Sequence, residues 1–392
     1  MLIRKAVVND FCDALKLVKN TGSDRYAHVL LAKKAILCPV EIENIDNRAA
    51  NILKQEALSC GAEAAVNENV SRFKKGFSNA VLFATLRQLE ILEKKLTLQP
   101  FGLKEVADKI SAIIKDSVSE IKVLKYKKSA IDLSYPSVMG IINLDISSFS
   151  GDGFSCADEA VERAVFFEKS GASIIDIGAE SSRPGSKPVN LKTEIKRLIP
   201  VLKKIRKAVK IPISVDTYKY ETAKAAISEG ADIINDIYAF AKGKDKLARL
   251  IAGEKAGLIL MHMKGVPSNM QKNPLYNNCV SEVFDFLSSK RDYAQKFGID
   301  KSFISVDPGI GFGKTDRHNA ELIKNMSVFS TLGVVTAGLS RKRFVRALSG
   351  TDRSSFVSAN IAAVCGGADI IRVHDVPETL AALKLINEIR RA

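Results

Sequence analysis

From about Pro136 onward the chain repeats one rhythm: a Val/Ile-rich run that ends in polar residues, then an amphipathic helical stretch. The runs lie at 138–144 (VMGIINL), 173–178 (SIIDIG), 212–217 (PISVDT), 233–237 (IINDI), 257–263 (GLILMHM), 304–309 (ISVDPG), 334–340 (VVTAGLS) and 370–375 (IIRVHD). Continuous apolar runs of this length read as strands buried on both faces, as in a parallel sheet. Helical stretches such as Ala157–Lys169 and Tyr220–Glu229 separate them, and Gly171 and Gly230 stand where a helix end takes a left-handed residue. Eight such units in about 250 residues fit a closed (β/α)8 TIM barrel. A doubly wound open sheet is the structural alternative, but it usually has fewer strands.

Residues 1–130 lack this rhythm and read as a smaller N-terminal α/β domain of unknown role, with the barrel over 136–392. Strand candidates lie near 37–42 and 79–84, and helices are expected over Asp46–Ser59, Leu86–Lys95 and Leu103–Lys115. Pro100 and Gly102 mark a turn, and the Lys-rich stretch Ser117–Tyr135 reads as the join. No chemical motif stands out in this part, so a packing or oligomer role is expected for it. At 392 residues and 46% apolar, the chain has material for about two cores.

The net charge of +15 is spread along predicted helices, so it reads first as solvated faces and second as a positive funnel for a phosphorylated substrate. No basic stretch is interleaved with aromatics, and nucleic-acid binding is not expected. The six cysteines include no C-x-x-C pair and no neighbouring His at zinc spacing, which fits reduced thiols of a cytoplasmic protein. Asp10 and Asp13 interrupt the apolar residues of the N-terminus, so no secretory signal is read there. No run approaches the roughly 18 apolar residues of a membrane span.

In a barrel of this kind the reacting groups lie at the C-terminal ends of the strands. Each run here ends in a polar group: Asn143; Asp176 with Ser181, Ser182 and Arg183; Asp216; Asn235 and Asp236; His262; Asp307; Ser340, Arg341 and Lys342; Arg372, His374 and Asp375. One such residue would be an ordinary turn former or cap. Eight in register point to one converging site. Lys342, Arg372, Arg183 and His374 suit phosphate or carboxylate oxygens. Asp216, Asn235 and Asp307 suit the donor edge of a heterocycle, so the implied substrate has a ring at one end and an anion at the other. His28 and His318 have no constellation around them, and His262 reads as a barrel-interior residue. The loop PGIGFGK at 308–314 lacks P-loop spacing and reads as a tight turn that places Phe312 over the pocket. The Ser/Gly-rich stretch 145–155 reads as a lid.

VMGIINLDISSFSGDG, IIDIGAESSRPG, ISVDTYKYETAKAAISEGADIINDI, LMHMKGVPSNMQ, VDPGIGFGKT, GLSRKRF and RVHDV, in that order, together resemble the dihydropteroate synthases over about residues 136–390. The resemblance implies condensation of a pterin diphosphate with 4-aminobenzoate in folate biosynthesis, Mg2+ as cofactor, and a sulfonamide target. It assigns Asp216, Asn235, Asp307 and Lys342 to the pterin, and Asn143, Arg372 and His374 to diphosphate, with Asn143 also at the metal. Ser182, Arg183 and Ser340 fall where 4-aminobenzoate is received. A homodimer is the expected assembly.

The family's usual N-x-T-P-D-S-F-S loop is here Asn143-Leu144-Asp145-Ile146-Ser147-Ser148-Phe149-Ser150. Its carboxylate is replaced by Ser147, and Asp145 is the candidate to act in its place. Lys342, Asp307, Asp216 and Asp145 are therefore the expected catalytic set. A pterin-binding methyltransferase and a non-catalytic pterin-binding protein are the rival readings. The Ser-Arg-Lys at 340–342 and Arg-Val-His at 372–374 favour the synthase, since a methyltransferase holds no diphosphate.

Overall fold

The structure is a computed structural model that describes residues 1, 3–118, 122–144, 157–242 and 244–391. Asp145 and the expected lid at 145–155 lie outside the described residues. The chain divides into two compact units, Met1–Glu120 and Ile121–Ala392.

The first unit is built on an antiparallel sheet of β1 (Leu37–Asp46), β3 (Phe77–Thr85) and β2 (Glu63–Val66), in the order β1-β3-β2. Its core includes Leu53 and Leu82 together with Leu86, Leu89, Leu92 and Leu96. The last four recur every three or four residues along the helix Leu86–Leu96, which puts them on one buried face. Thr85 starts that helix through a reciprocal cap with Gln88. The sequence missed β2, whose four residues Glu63–Val66 carry too little pattern to read.

The second unit opens with a hairpin, β4 (Val123–Tyr126) and β5 (Ser129–Asp132), in the stretch expected to be a plain join. Leu124, Ile131 and Leu133 from the hairpin and its exit pack with Met139, Ile174, Ile233, Ile259, Val334 and Ile370. Those six lie towards the N-terminal ends of the barrel strands, so the hairpin region plugs the barrel bottom and belongs with it. The division accordingly falls about ten residues before the boundary expected from sequence.

The barrel itself is closed and parallel. Its strands are β6 (Ser137–Asn143), β7 (Ile174–Gly178), β8 (Ile213–Asp216), β9 (Ile233–Asp236), β10 (Gly257–Met261), β11 (Ile304–Asp307), β12 (Val334–Ala337) and β13 (Ile370–Val373). The open-sheet alternative is thereby excluded. Successive strand residues point to opposite faces. Val138, Ile175, Val215, Ile234, Leu260, Val306, Val335 and Ile371 join the large core shared with the surrounding helices. Met139, Ile174, Ile233, Ile259, Val334 and Ile370 face inward at the plug. Two residues further along the inward face come Ile141, Asp176, Asn235, Met261, Thr336 and Arg372. The same alternation that floors the barrel with hydrocarbon thus lines its upper half with polar groups. Gly140 makes room on the outer face of β6, where a Cβ would come within 2.4 Å of the Phe167 ring.

Candidate active site

Asp176, Asp216, Asn235 and Arg372 meet inside the barrel. Arg372 Nε donates to Asp176 Oδ2 at 2.6 Å and its Nη2 to Asp216 Oδ2 at 3.1 Å. Asn235 Nδ2 reaches the same Asp176 oxygen at 3.5 Å. Asp176 is fully buried, and its other oxygen, Oδ1, has no hydrogen-bond partner. An unpaired buried carboxylate oxygen is costly, and an N–H donor from a bound ligand would satisfy it. Gly178 faces Asp216 across the β7–β8 pair, where a Cβ would meet the Asp216 Cβ at 3.4 Å, in ordinary van der Waals contact.

Burial pushes the Asp216 carboxyl up to about 7 against the pull of Arg372, and Asp176 adds to the rise. Asp307 is also raised by burial, although the Gly309 N–H and Lys342 oppose it. Burial lowers the Lys342 ammonium to about 7, with Asp307 resisting. The pocket therefore holds two groups whose charge changes close to neutrality, a feature more common at working sites than elsewhere.

Lys342 is positioned by the turn that follows β11. Its Nζ donates to Ile310 O at 2.8 Å and lies 3.8 Å from the centre of the Phe312 ring. The turn is tight because Gly309, Gly311 and Gly313 all take positive φ. A Cβ on Gly309 would fall 1.8 Å from His262 O. The turn's N–H groups are used internally: Gly309 N–H donates to Asp307 Oδ1, Gly311 N–H to Asn319 Oδ1 and Phe312 N–H to Gly309 O. That leaves no phosphate cradle in these groups and agrees with the turn reading. Lys314 is buried and ties the turn from below, donating to Gly309 O, Phe312 O and His262 Nδ1. His262 is accordingly a structural partner inside the barrel, held neutral by burial and by Lys314.

At the mouth, His374 Nδ1 lies 3.1 Å from Ser340 Oγ, and its Nε2 lies 3.4 Å from Asn143 Nδ2. The ends of β6, β12 and β13 are joined in this way. Arg372 does not join His374 there; its guanidinium turns inward to the carboxylates. Asp236 points away from the pocket and accepts from the Tyr238 and Phe240 N–H groups, so it is a turn former. Ser182 and Arg183 sit on the segment after β7, the first half-buried and the second exposed.

That segment ends in a cluster the sequence did not disclose. Lys219 Nζ donates to Glu180 Oε2, to Glu194 Oε2 and to Val189 O. Thr217 Oγ1 donates to Glu194 Oε1 at 2.7 Å, and Tyr218 Oη to Glu180 Oε1 at 3.1 Å. Burial works against the Lys219 charge, but the hydrogen bonds to Glu180 and Glu194 outweigh it and raise the ammonium above its usual value. No spacing rule connects these partners; they meet only because the chain after β7, the helix Leu191–Ala208 and the chain after β8 adjoin at one end of the barrel.

Among the described residues no helix is long and apolar enough to cross a membrane. The family described as "Pterin binding enzyme" matches residues 139–374. Dihydropteroate synthase of Synechocystis sp. is 38% identical over 261 residues, which is 65% of this chain and 90% of that protein. The bifunctional dihydropteroate synthase/dihydropteroate reductase of Helicobacter pylori is 31% identical over 387 residues, covering 96% of this chain and 97% of that one. Burkholderia cenocepacia dihydropteroate synthase, solved with 7,8-dihydropteroate, superposes with a TM-score of 0.62 at 33% identity, over 70% of this chain and 98% of the other. The polar cup at the strand ends lies inside the matched region, and the chain belongs to the dihydropteroate synthase family of pterin-binding enzymes.

Proposed function

We propose that the barrel condenses 6-hydroxymethyl-7,8-dihydropterin diphosphate with 4-aminobenzoate, releasing diphosphate and forming 7,8-dihydropteroate for folate biosynthesis. The observation that carries this reading is the grouping of Asp176, Asp216, Asn235 and Arg372 in one barrel interior, with Asp307 and Lys342 on neighbouring strand ends. A ring with an amidine-like edge supplies N–H donors for Asp216 and for the unpaired Asp176 oxygen. Asn235 and Asp307 complete that edge, and Lys342 donates to a ring acceptor. On binding, ring N–H groups would replace Arg372 on Asp216 and release its guanidinium towards the diphosphate. Asn143 and His374 at the mouth are assigned to the same anion.

In this reading the C–O bond of the pterin methylene breaks first, and its electron pair leaves with diphosphate. The buried carboxylates stabilise the cationic methylene. The amine of 4-aminobenzoate, held by Ser182, Arg183 and Ser340, then attacks the carbon and loses a proton. Among the described residues no three His, Cys, Asp or Glu side chains form a metal cage. A donor set of one amide oxygen, from Asn143, suits Mg2+ shared with substrate phosphate and water. When bound, the ion would neutralise charge on the departing diphosphate. Asp145 is kept as the proposed loop carboxylate. A homodimer in the cytoplasm is part of the same reading, and sedimentation of the purified chain tests the assembly.

The reaction is tested by following labelled 4-aminobenzoate into dihydropteroate with and without Mg2+. Pterin binding without product would favour the non-catalytic alternative, and methyl transfer from an added methylated pterin would favour the methyltransferase. The match to the bifunctional Helicobacter relative runs across the N-terminal unit as well, which supports a second reading in which dihydropteroate is reduced further. Supplying a hydride donor such as NADPH in the same assay and looking for tetrahydropteroate tests it.

A further inference from the structure

We infer that Lys219 is a positioning residue for the 4-aminobenzoate side of the site, closing the segment 181–189 at both of its ends. The inference rests on the proposed function, in which Ser182 and Arg183 receive that substrate. The segment begins after Glu180, two residues past the end of β7, and enters the helix Leu191–Ala208 after Asn190, whose side chain caps it through the Thr193 N–H. Lys219 Nζ bonds Glu180 at the entry and the Val189 carbonyl, at 2.6 Å, at the exit. Its third partner, Glu194, lies in the first turn of the helix. Glu180 adds a second tie between the same two ends, because its Oε2 also accepts the Val189 N–H at 3.0 Å.

The side chains in this knot are largely shielded: Lys219 is 15% exposed, Glu180 13% and Glu194 2%. One ammonium thus offsets two shielded carboxylates, and without it these would face each other with like charge. Inside the span the chain makes further ties of its own, among them Arg183 N–H to Ser181 Oγ at 3.4 Å. Ser186 Oγ donates to Ser181 O and its N–H to Arg183 O, while Gly185 N–H reaches Pro267 O. The exposed residues Arg183, Pro184 and Gly185 are placed by these ties together with the closed ends. The pterin side is built from other contacts, those of Asp176, Asp216, Arg372 and Lys342, none of which uses Lys219. Glu180 and Glu194 reach the pterin side only through their charge on Asp216, so loss of the clamp should act on 4-aminobenzoate far more than on the pterin.

The test is steady-state kinetics of the full chain carrying Lys219→Met, varying each substrate in turn. A misplaced binding group costs up to about a hundredfold, so KM for 4-aminobenzoate should rise by about tenfold or more. KM for pterin diphosphate should change by less than about twofold, a split that general loss of structure would not produce. If the single variant does not fold, Lys219→Met/Glu194→Gln removes the ammonium without adding net negative charge, and the same split is expected. Parallel changes in both KM values, or an unchanged KM for 4-aminobenzoate, would overturn the inference. An inactive wild-type chain would instead remove the proposed function beneath it.

Discussion

Lys342 offers the sharpest test of how the pocket works. Its ammonium titrates at about 7 because burial disfavours the charge, with Arg372 adding to the effect and Asp307 opposing it. For a base the sign is direct: the cation is present below that pH and is lost as pH rises through it. If the cation donates to the pterin ring, kcat/KM for pterin diphosphate should fall about tenfold per pH unit above 7, and so about a hundredfold by pH 9. Asp216 also sits at about 7, but its carboxylate is lost as pH falls, so its limb lies on the acid side. The two groups share a pocket, and the wild-type profile reports them jointly. Lys342→Arg separates them, because guanidinium stays charged over the whole range. The quantity to follow is the ratio of kcat/KM in the variant to that in wild type, from pH 6 to 9, with diphosphate release as readout. Titration of the substrate cancels in this ratio. The ratio should be flat below about pH 7 and climb with unit slope above it. A flat ratio throughout would show that the Lys342 charge does not contribute to pterin recognition.

Three further outcomes follow from particular contacts. Arg372→Ala should weaken pterin diphosphate about tenfold to a hundredfold, the value of one charge-assisted contact, and bare hydroxymethyl pterin much less; equal losses in calorimetry would leave Arg372 with the ring alone. Leu124→Ala empties a fully buried place in the barrel plug, should cost about 2–5 kcal/mol in thermal unfolding of the barrel and should leave both KM values in place. Gly140→Ala should cost about 1–3 kcal/mol through its overlap with Phe167, and Gly140→Ala/Phe167→Leu should recover most of it; no recovery would place the strain elsewhere.

The barrel was legible because a parallel strand covered on both faces writes itself as an unbroken apolar run, and eight of them have few other solutions. The run ends were read a residue or more too far: 212–217 is a strand only over Ile213–Asp216, and 257–263 only over Gly257–Met261. The rest of each run is the start of the loop that carries the site. The hairpin Val123–Asp132 was missed because its strands are four residues each, joined by the turn residues Lys127 and Lys128, with Leu124 and Ile131 as their only buried side chains. The Lys219 clamp was missed for a different reason. Glu180, Glu194 and Lys219 each look like a solvated charge in sequence, and only strand adjacency makes them partners. Side-chain direction was equally hidden: Arg372 and His374 are two residues apart on one inward face, yet one turns to the carboxylates and the other to Ser340.

One part of the site was more legible than the motifs alone suggest. A charged or amide residue inside an otherwise apolar strand has two faces to choose from. The outer face lies under helices whose contact surface is apolar, mostly Leu, Ile, Val, Ala and Phe, where an unpaired charge would be very costly. The inner face offers other strands' polar groups as partners. Asp176 in IIDIG and Arg372 in IIRV are therefore directed inward by their neighbours, before any family is considered, and Asn235 in IIND shares that inward face while the adjacent Asp236 turns outward to accept the Tyr238 and Phe240 N–H groups. Each also follows, two positions on, an isoleucine of the plug: Ile174, Ile233 and Ile370. That offset places the three polar residues one step above the floor and at a common depth. A carboxylate, an amide and a guanidinium at one depth in one closed barrel must meet, and the 2.6 Å and 3.5 Å contacts to Asp176 Oδ2 are the result.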